Sequence, residues 1–476
     1  LPLAETTKKI LVIGPDAVET RLGGYSGPGN SPVSILDGLR ERLSRSAQVS
    51  YVESCGRRDK RIETFPTLWL YHSDGQTLHP GLRGTYYNGI DLNATPAFTR
   101  NDANIEFQWT LFGPDPRVAF DHFAVKWDGV IVPEINGTFR IGMEGNDGYR
   151  FYLNDQLLID RWEGQGYHTT LVPFSFSEWE RVKLRVEYRE RSGNARIRLV
   201  VDEAMCPWIT PCSNDAALKA ANTRDQVIVV AGIEEGEFRD RSSLKLPGEQ
   251  EELIKRMAAT GKPVTVVLIG GSAITMDSWI DDVDAVLMAW YPGEAGGLAI
   301  ADLLIGTRNP SGKLPITFPR NEGQLPLVFN HYPTGRGDDY VDGTGQPLFP
   351  FGYGLSYTRF DYSNLKLSRA SFTAKDSVVL SFKLTNSGSV AGEEVVQLYA
   401  HDELASIARP VKELKGFQRV ALAAGESKTI TFTLHASMFS FPNAEMKEVA
   451  EPGMFRLMVG SSSKDIRLRA MIEYVE

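Results

Sequence analysis

The chain has 476 residues, 42% of them apolar and 10% aromatic, enough for roughly three domains with their own cores. Its 60 acidic and 51 basic residues give a net charge of −9, which argues against nucleic acid or an anionic membrane as a partner. It contains no basic run and no apolar stretch long enough to cross a bilayer.

The first residues, Leu1 to Lys9, show neither an initiating Met nor a signal peptide, so the sequence reads as a processed chain or a fragment. Lys9 to Gly14 is a short buried strand ending at Gly. The Gly-rich stretch Gly23 to Gly29 does not meet the spacing of a dinucleotide fingerprint, and tight turning beside a sugar site is the preferred reading. Ser34 to Leu43 carries Ile35, Leu36, Leu39 and Leu43 at helical spacing, and Gln48 to Val52 is the next strand. This strand, helix, strand order predicts the first part of a doubly wound α/β sandwich, over residues 1–74.

Between about Gly75 and Cys206 helical periodicity gives way to short alternating segments separated by Gly, Asn and Asp turns. Examples are Phe123 to Asp128, Gly137 to Gly142, Tyr149 to Leu153 and Arg181 to Tyr188. They predict an all-β module over residues 75–207, inserted at a surface loop of the α/β domain. Of the three cysteines, Cys55 stands alone, while Cys206 and Cys212 either close a small disulfide loop or remain two thiols. No pair has zinc-ligand spacing, and neither a metal nor a cofactor is expected. The compartment stays open, with periplasmic or secreted placed ahead of cytoplasmic.

The α/β pattern resumes over residues 208–356. A helix from Asp215 to Ala221 precedes Asp225 to Gly232, whose β-branched run Val227 to Val230 reads as a strand buried on both faces. An acidic loop follows, with Glu234, Glu235 and Glu237, then Arg239, Asp240 and Arg241. Glu249 to Met257 has helical spacing, Pro263 to Ile269 and Asp284 to Tyr291 are further buried strands, and a helix opens at Gly293 to Gly297. Ligands of open α/β sheets sit beyond the carboxyl ends of the strands, so a carboxylate on the acidic loop is placed to meet one. By themselves, Glu234 and Glu235 read as a solvated acidic turn. Residues 320–357 are loop-like, and 357–476 alternate as an all-β sandwich of immunoglobulin-like size.

Several stretches resemble the non-barrel part of a glycoside hydrolase family 3 β-glucosidase. They are Lys9-Ile-Leu-Val-Ile-Gly-Pro-Asp16, Ser34-Ile-Leu-Asp-Gly-Leu39, Asp240-Arg-Ser-Ser-Leu-Lys-Leu-Pro-Gly-Glu-Gln250, Ala289-Trp-Tyr-Pro-Gly-Glu-Ala-Gly-Gly297, Asn309-Pro-Ser-Gly-Lys-Leu-Pro-Ile-Thr-Phe-Pro319 and Phe349-Pro-Phe-Gly-Tyr-Gly-Leu-Ser-Tyr357. The inserted module resembles a PA14 domain through Gly81 to Asn88, Gly145 to Tyr152 and Leu158 to Trp162. The final sandwich resembles the fibronectin type III-like domain of the same enzymes. Family members usually begin with a (β/α)8 barrel carrying the nucleophilic Asp, and neither that barrel nor its Ser-Asp-Trp segment is found in these 476 residues. The resemblance therefore implies a barrel on a separate chain or outside the numbered region, and no glycoside turnover by this chain alone.

The resemblance further implies a retaining mechanism with two carboxyl groups roughly 5 Å apart. The general acid/base is assigned to Glu237, because Gly236-Glu237 best matches the family's Gly-Glu-Gly-like pattern before Asp240-Arg241, with Phe238 replacing the second Gly. Glu235 is the second choice and Glu234 the third, and Arg239 and Arg241 are expected to hold the loop. The implied activity is release of terminal glucose from short β-glucosides or aryl glucosides. A β-xylosidase or α-arabinosidase, or a non-catalytic carbohydrate-binding scaffold, is the alternative, and a homo-oligomer is left open. The PA14-like module is expected to limit aglycone length. For its aromatics Tyr86, Tyr87, Phe107, Trp109, Tyr149, Tyr152, Trp162 and Tyr167, core packing is preferred to sugar stacking. For Asp147 and Asp160, a turn or cap role is preferred to calcium binding.

Overall fold

The computed structural model describes every residue except 24, 25, 27, 28, 55, 58–61, 76, 110–112, 164, 165, 194, 203–213, 237–239 and 335–338. Five apolar runs form one parallel sheet: β1 (Lys9–Ile13), β2 (Gln48–Val52), β3 (Gln226–Gly232), β4 (Val264–Ile269) and β5 (Ala285–Trp290). The spatial order is β5-β4-β3-β1-β2, with Ile10 opposite Gln226 and Lys9 opposite Gln48. All seven residues of β3 and all six of β4 are buried, as a sheet covered on both faces demands.

Alternate residues feed two cores. Leu11, Ile13, Val227 and Val229 face Ala217 of α2 (Asp215–Ala221) and Leu253, Ile254 and Met257 of α3 (Gln250–Ala258). Ile10, Val12, Ile228 and Val230 face Ile35, Leu36 and Leu39 of α1 (Ile35–Leu43) and Ile300, Ala301 and Leu304 of α4 (Gly296–Ile305). Ser34 caps α1 by accepting the Asp37 N–H. Helices α1 and α4 touch backbone to backbone: a Cβ at Gly38 would lie 2.2 Å from the Gly297 carbonyl oxygen. The doubly wound sandwich expected from the sequence is thus present.

Residues 360–476 form the sandwich that follows. One sheet pairs Phe360–Leu367, Ser377–Asn386 and Ser427–His435, and the other runs through Ser371–Phe372, Ile466–Tyr474, Gly453–Gly460, Gly392–Asp402 and Glu413–Leu422. Lys313 reaches across to it from the α/β domain, its Nζ 3.0 Å from Glu394 Oε1, with both side chains largely buried.

Residues 58–213 form a separate all-β unit of two antiparallel sheets. It includes the short strands Glu63–Thr64 and Leu70–Ser73, too brief to show alternation. Tyr86 and Tyr149 are fully buried and Trp109 and Tyr87 nearly so, while Tyr167 is exposed. Buried Asp102 accepts from the Tyr86 hydroxyl at 2.6 Å, from Trp127 Nε1 at 2.8 Å and from Arg100 Nε at 2.6 Å, which orients the aromatic core. Asp147 accepts the Arg191 N–H across 44 positions, while Asp160 accepts the Trp162 N–H two residues on, a turn-type contact. Among the described residues, no group of three or more His, Cys, Asp or Glu is arranged to hold a metal ion. Cys55, Cys206 and Cys212 lie outside the described residues.

Candidate active site

The strand order reverses between β1 and β3: from β1 the chain winds outward to β2 on one side and to β3, β4 and β5 on the other. Loops leaving the carboxyl ends of two such strands diverge and leave a crevice, which is where doubly wound sheets bind ligands. The acidic loop leaves β3 at this point. Glu237, with Phe238 and Arg239, lies outside the described residues. Glu234, Glu235, Asp240 and Arg241 are described.

Glu235 is anchored toward β4. Its Oε2 accepts the Gly271 backbone N–H at 2.7 Å and its Oε1 accepts the Ser272 hydroxyl. Tyr291 packs beside it. Burial raises the Tyr291 hydroxyl above the usual phenol range, and the Glu235 charge adds to the rise. Trp290, just before, takes φ 55°, an uncommon conformation for a bulky side chain, and the β4–β5 register slips by a residue there. The kink sets Tyr291 against Gly271, where an added Cβ would come within 3.0 Å of the Tyr291 ring. An added Cβ at Gly23 would lie 3.7 Å from the Tyr291 ring, and the Asn30 N–H donates to Glu294 Oε1 at 2.7 Å, so Gly23 and Asn30 border the same crevice.

Glu234 is anchored the other way. Its Oε2 lies 3.6 Å from Arg21 Nη2 and 3.5 Å from Arg57 Nη1. Both arginines converge on Asp16, whose Oδ1 is 3.3 Å from Arg21 and 3.2 Å from Arg57. Asp16 is 1% exposed, and burial above all pushes its carboxyl up to about 7, against the lowering effect of Arg57. A small cavity is lined by Asp16, Thr20, Arg21, Ser34 and Pro292. The terminal nitrogens of Arg241 are buried and make no hydrogen bond, and its link to the loop is the charge of Glu235. Arg21 and Arg57 make the ion pairs to Glu234. Sequence reasoning did not single them out, because neither lies in a motif or near Glu234 along the chain; only the Gly14-Pro15-Asp16 turn stood within a recognisable stretch.

A doubly wound domain with an acidic loop at its switch point, interrupted by a β unit and followed by a sandwich, is matched over residues 1–357 by the family model of the glycosyl hydrolase family 3 C-terminal domain. The chain belongs to this family. Residues 394–463 match a fibronectin type III-like domain, as family 3 resemblance implied. The chain is 41% identical over 266 residues to the periplasmic beta-glucosidase of Salmonella typhimurium, covering 53% of this chain and 35% of that protein. It is 31% identical over 493 residues to the xylan 1,4-beta-xylosidase of Xylanibacter ruminicola, covering 99% and 55%. The crystal structure of the beta-glucosidase from Kluyveromyces marxianus in complex with glucose superimposes with a TM-score of 0.66 at 26% identity, covering all of this chain and 60% of that one. This family 3 chain therefore spans between about a third and three-fifths of the relatives it matches.

Proposed function

We propose that this family 3 chain supplies the general acid/base of an exo-acting, retaining β-glycosidase, a β-glucosidase that releases terminal glucose from short β-glucosides. The observation that carries the reading is the division of labour in the loop after β3. Glu235 is spent on Gly271 and Ser272 and Glu234 on Arg21 and Arg57, and the Gly236-Glu237 pattern before Asp240-Arg241 in the sequence supports Glu237 for the acid/base part. A general acid must present its proton to a leaving oxygen, and a carboxylate tied up as an acceptor is badly placed to do so. Glu237 protonates the glycosidic oxygen and then deprotonates the attacking water. An Asp on a (β/α)8 barrel attacks the anomeric carbon and forms the glycosyl-enzyme. Each step conserves protons: the one Glu237 gives to the departing alcohol it regains from water. The barrel is the partner required, and no cofactor takes part. The β unit acts as a PA14-like module that limits aglycone length, and the similarity to a periplasmic enzyme favours an exported location.

The decisive experiment is Glu237→Gln in the enzyme assembled with its barrel. Turnover of cellobiose should fall by about 10²-fold or more, activated aryl glucosides should lose much less, and azide should restore part of the rate. Near-normal cellobiose hydrolysis would remove the assignment. A β-xylosidase is the second reading, favoured by the similarity along 99% of the chain to a xylan 1,4-beta-xylosidase. A panel of aryl β-glycosides separates the two.

A further inference from the structure

On the reading that Glu237 is the acid/base, we propose that Asp16 is a positioning residue: through Arg21 and Arg57 it fixes Glu234, and with it the backbone that leads into Glu237. The scaffold under Asp16 is rigid. It sits in the turn Pro15–Ala17 directly after β1, entered through Gly14 at φ 109°. A Cβ at Gly14 would lie 2.0 Å from the Val230 carbonyl oxygen, so only glycine lets this turn press against β3. Asp16 is therefore held at a set distance from the strand that launches the acidic loop.

The charges around it form a chain across three adjacent strand ends. Arg21 belongs to the loop after β1, Arg57 follows β2, and Glu234 follows β3. The two guanidinium groups have side-chain exposures of 14% and 13% and share the Asp16 oxygen between them. Two cations that close repel each other, and the Asp16 oxygen set between them offsets that repulsion, most fully when its carboxyl is ionised. Glu19 adds a second acceptor to Arg57 at 2.8 Å. Glu234 is half exposed, and an ion pair from such a side chain to a mobile partner would hold nothing in place. Its partners here are largely buried and are themselves paired with Asp16. Asp16 Oδ2 meanwhile has no hydrogen-bond partner, and burying such an atom costs stability, so the network's contribution is to geometry rather than to the fold's free energy.

Glu234 stands three residues before Glu237, and a displacement of about 1 Å in a catalytic group can cost about 10²-fold in rate. The first test needs no barrel. In the 476-residue chain, hydrogen exchange is followed by mass spectrometry in Arg57→Met, Glu234→Gln, Asp16→Ala and Asp16→Asn. Arg57→Met and Glu234→Gln should each speed exchange of the Glu234–Gly236 amides by about fivefold or more while β3 and β4 keep their rates. Asp16→Ala should do the same, and Asp16→Asn, which keeps a carbonyl oxygen toward the arginines but no charge, should restore protection only in part. Unchanged exchange in both Arg57→Met and Glu234→Gln would overturn the proposal even if Asp16→Ala fails to fold. In the assembled enzyme, Arg57→Met should lower kcat by about tenfold with KM within about twofold, and should cost nothing more in a Glu237→Gln background. An equal loss in that background would also overturn it. If Glu237→Gln stays fully active while loop exchange still responds to Arg57→Met, the acid/base assignment falls and the mooring of Glu234 stands.

Discussion

The Gly271 backbone N–H donates to Glu235 Oε2 at 2.7 Å, which ties the loop leaving β3 to the loop leaving β4. The contact leaves no room for a side chain on Gly271, since an added Cβ would lie 2.8 Å from that same oxygen and 3.0 Å from the Tyr291 ring. Gly271→Ala should therefore force Glu235 or Tyr291 aside, and Glu235→Ala should leave the Gly271 N–H without its partner. Each change is expected to destabilise the α/β domain by about 1–2 kcal/mol. Ser272→Ala, which removes one neutral donor, should cost about 1 kcal/mol or less. Urea denaturation of the three variants checks the order; Ser272→Ala proving the most damaging would contradict it.

Glu190 makes the β unit sensitive to pH. It is fully buried, its Oε2 accepts the Tyr188 hydroxyl at 3.0 Å, and its Oε1 has no partner. Burial chiefly, with the charge of Asp147 and then of Asp121, pushes its carboxyl up to about 7. A group with a raised folded pKa contributes stability that is fully present below its unfolded value, near 4.5, and is lost as pH rises through about 7. Glu190→Gln stays neutral throughout. The stability of the natural chain relative to this variant should therefore fall by about 3 kcal/mol between pH 4.5 and pH 8. Denaturation of both proteins across that range is the measurement, and a natural chain that holds or gains stability relative to Glu190→Gln as pH rises would refute the account.

Lys313 and Glu394 join the α/β domain to the sandwich as a buried ion pair. Burial raises the Glu394 carboxyl, and Lys313 works against that rise. Lys313→Met keeps the stem and removes the charge, so it strands Glu394 and should cost about 3 kcal/mol at neutral pH. The loss should shrink in acid, where Glu394 takes up a proton. The double variant Lys313→Met, Glu394→Leu should recover most of the stability. A double variant as unstable as the single one would show that the pair contributes more than mutual compensation.

Much of this molecule is written locally. The β-branched run Val227 to Val230, the helical spacing of Ile35, Leu36, Leu39 and Leu43, and the alternation of the sandwich strands determine their elements, because burial acts on neighbours a fixed number of residues apart. The acidic loop and its carboxylates could likewise be read as a candidate site from the strand that precedes them. What each glutamate does could not. That depends on the order β5-β4-β3-β1-β2, which sets the ends of β1 and β2 on one side of the loop and the end of β4 on the other. Arg57 meets Glu234 across 177 positions, with the whole β unit between them in sequence, and Gly271 meets Glu235 across 36. No periodicity links residues so far apart. Charges and hydrogen bonds act over a few ångströms of space, so only the packing of strand ends decided which carboxylates would be held and by what.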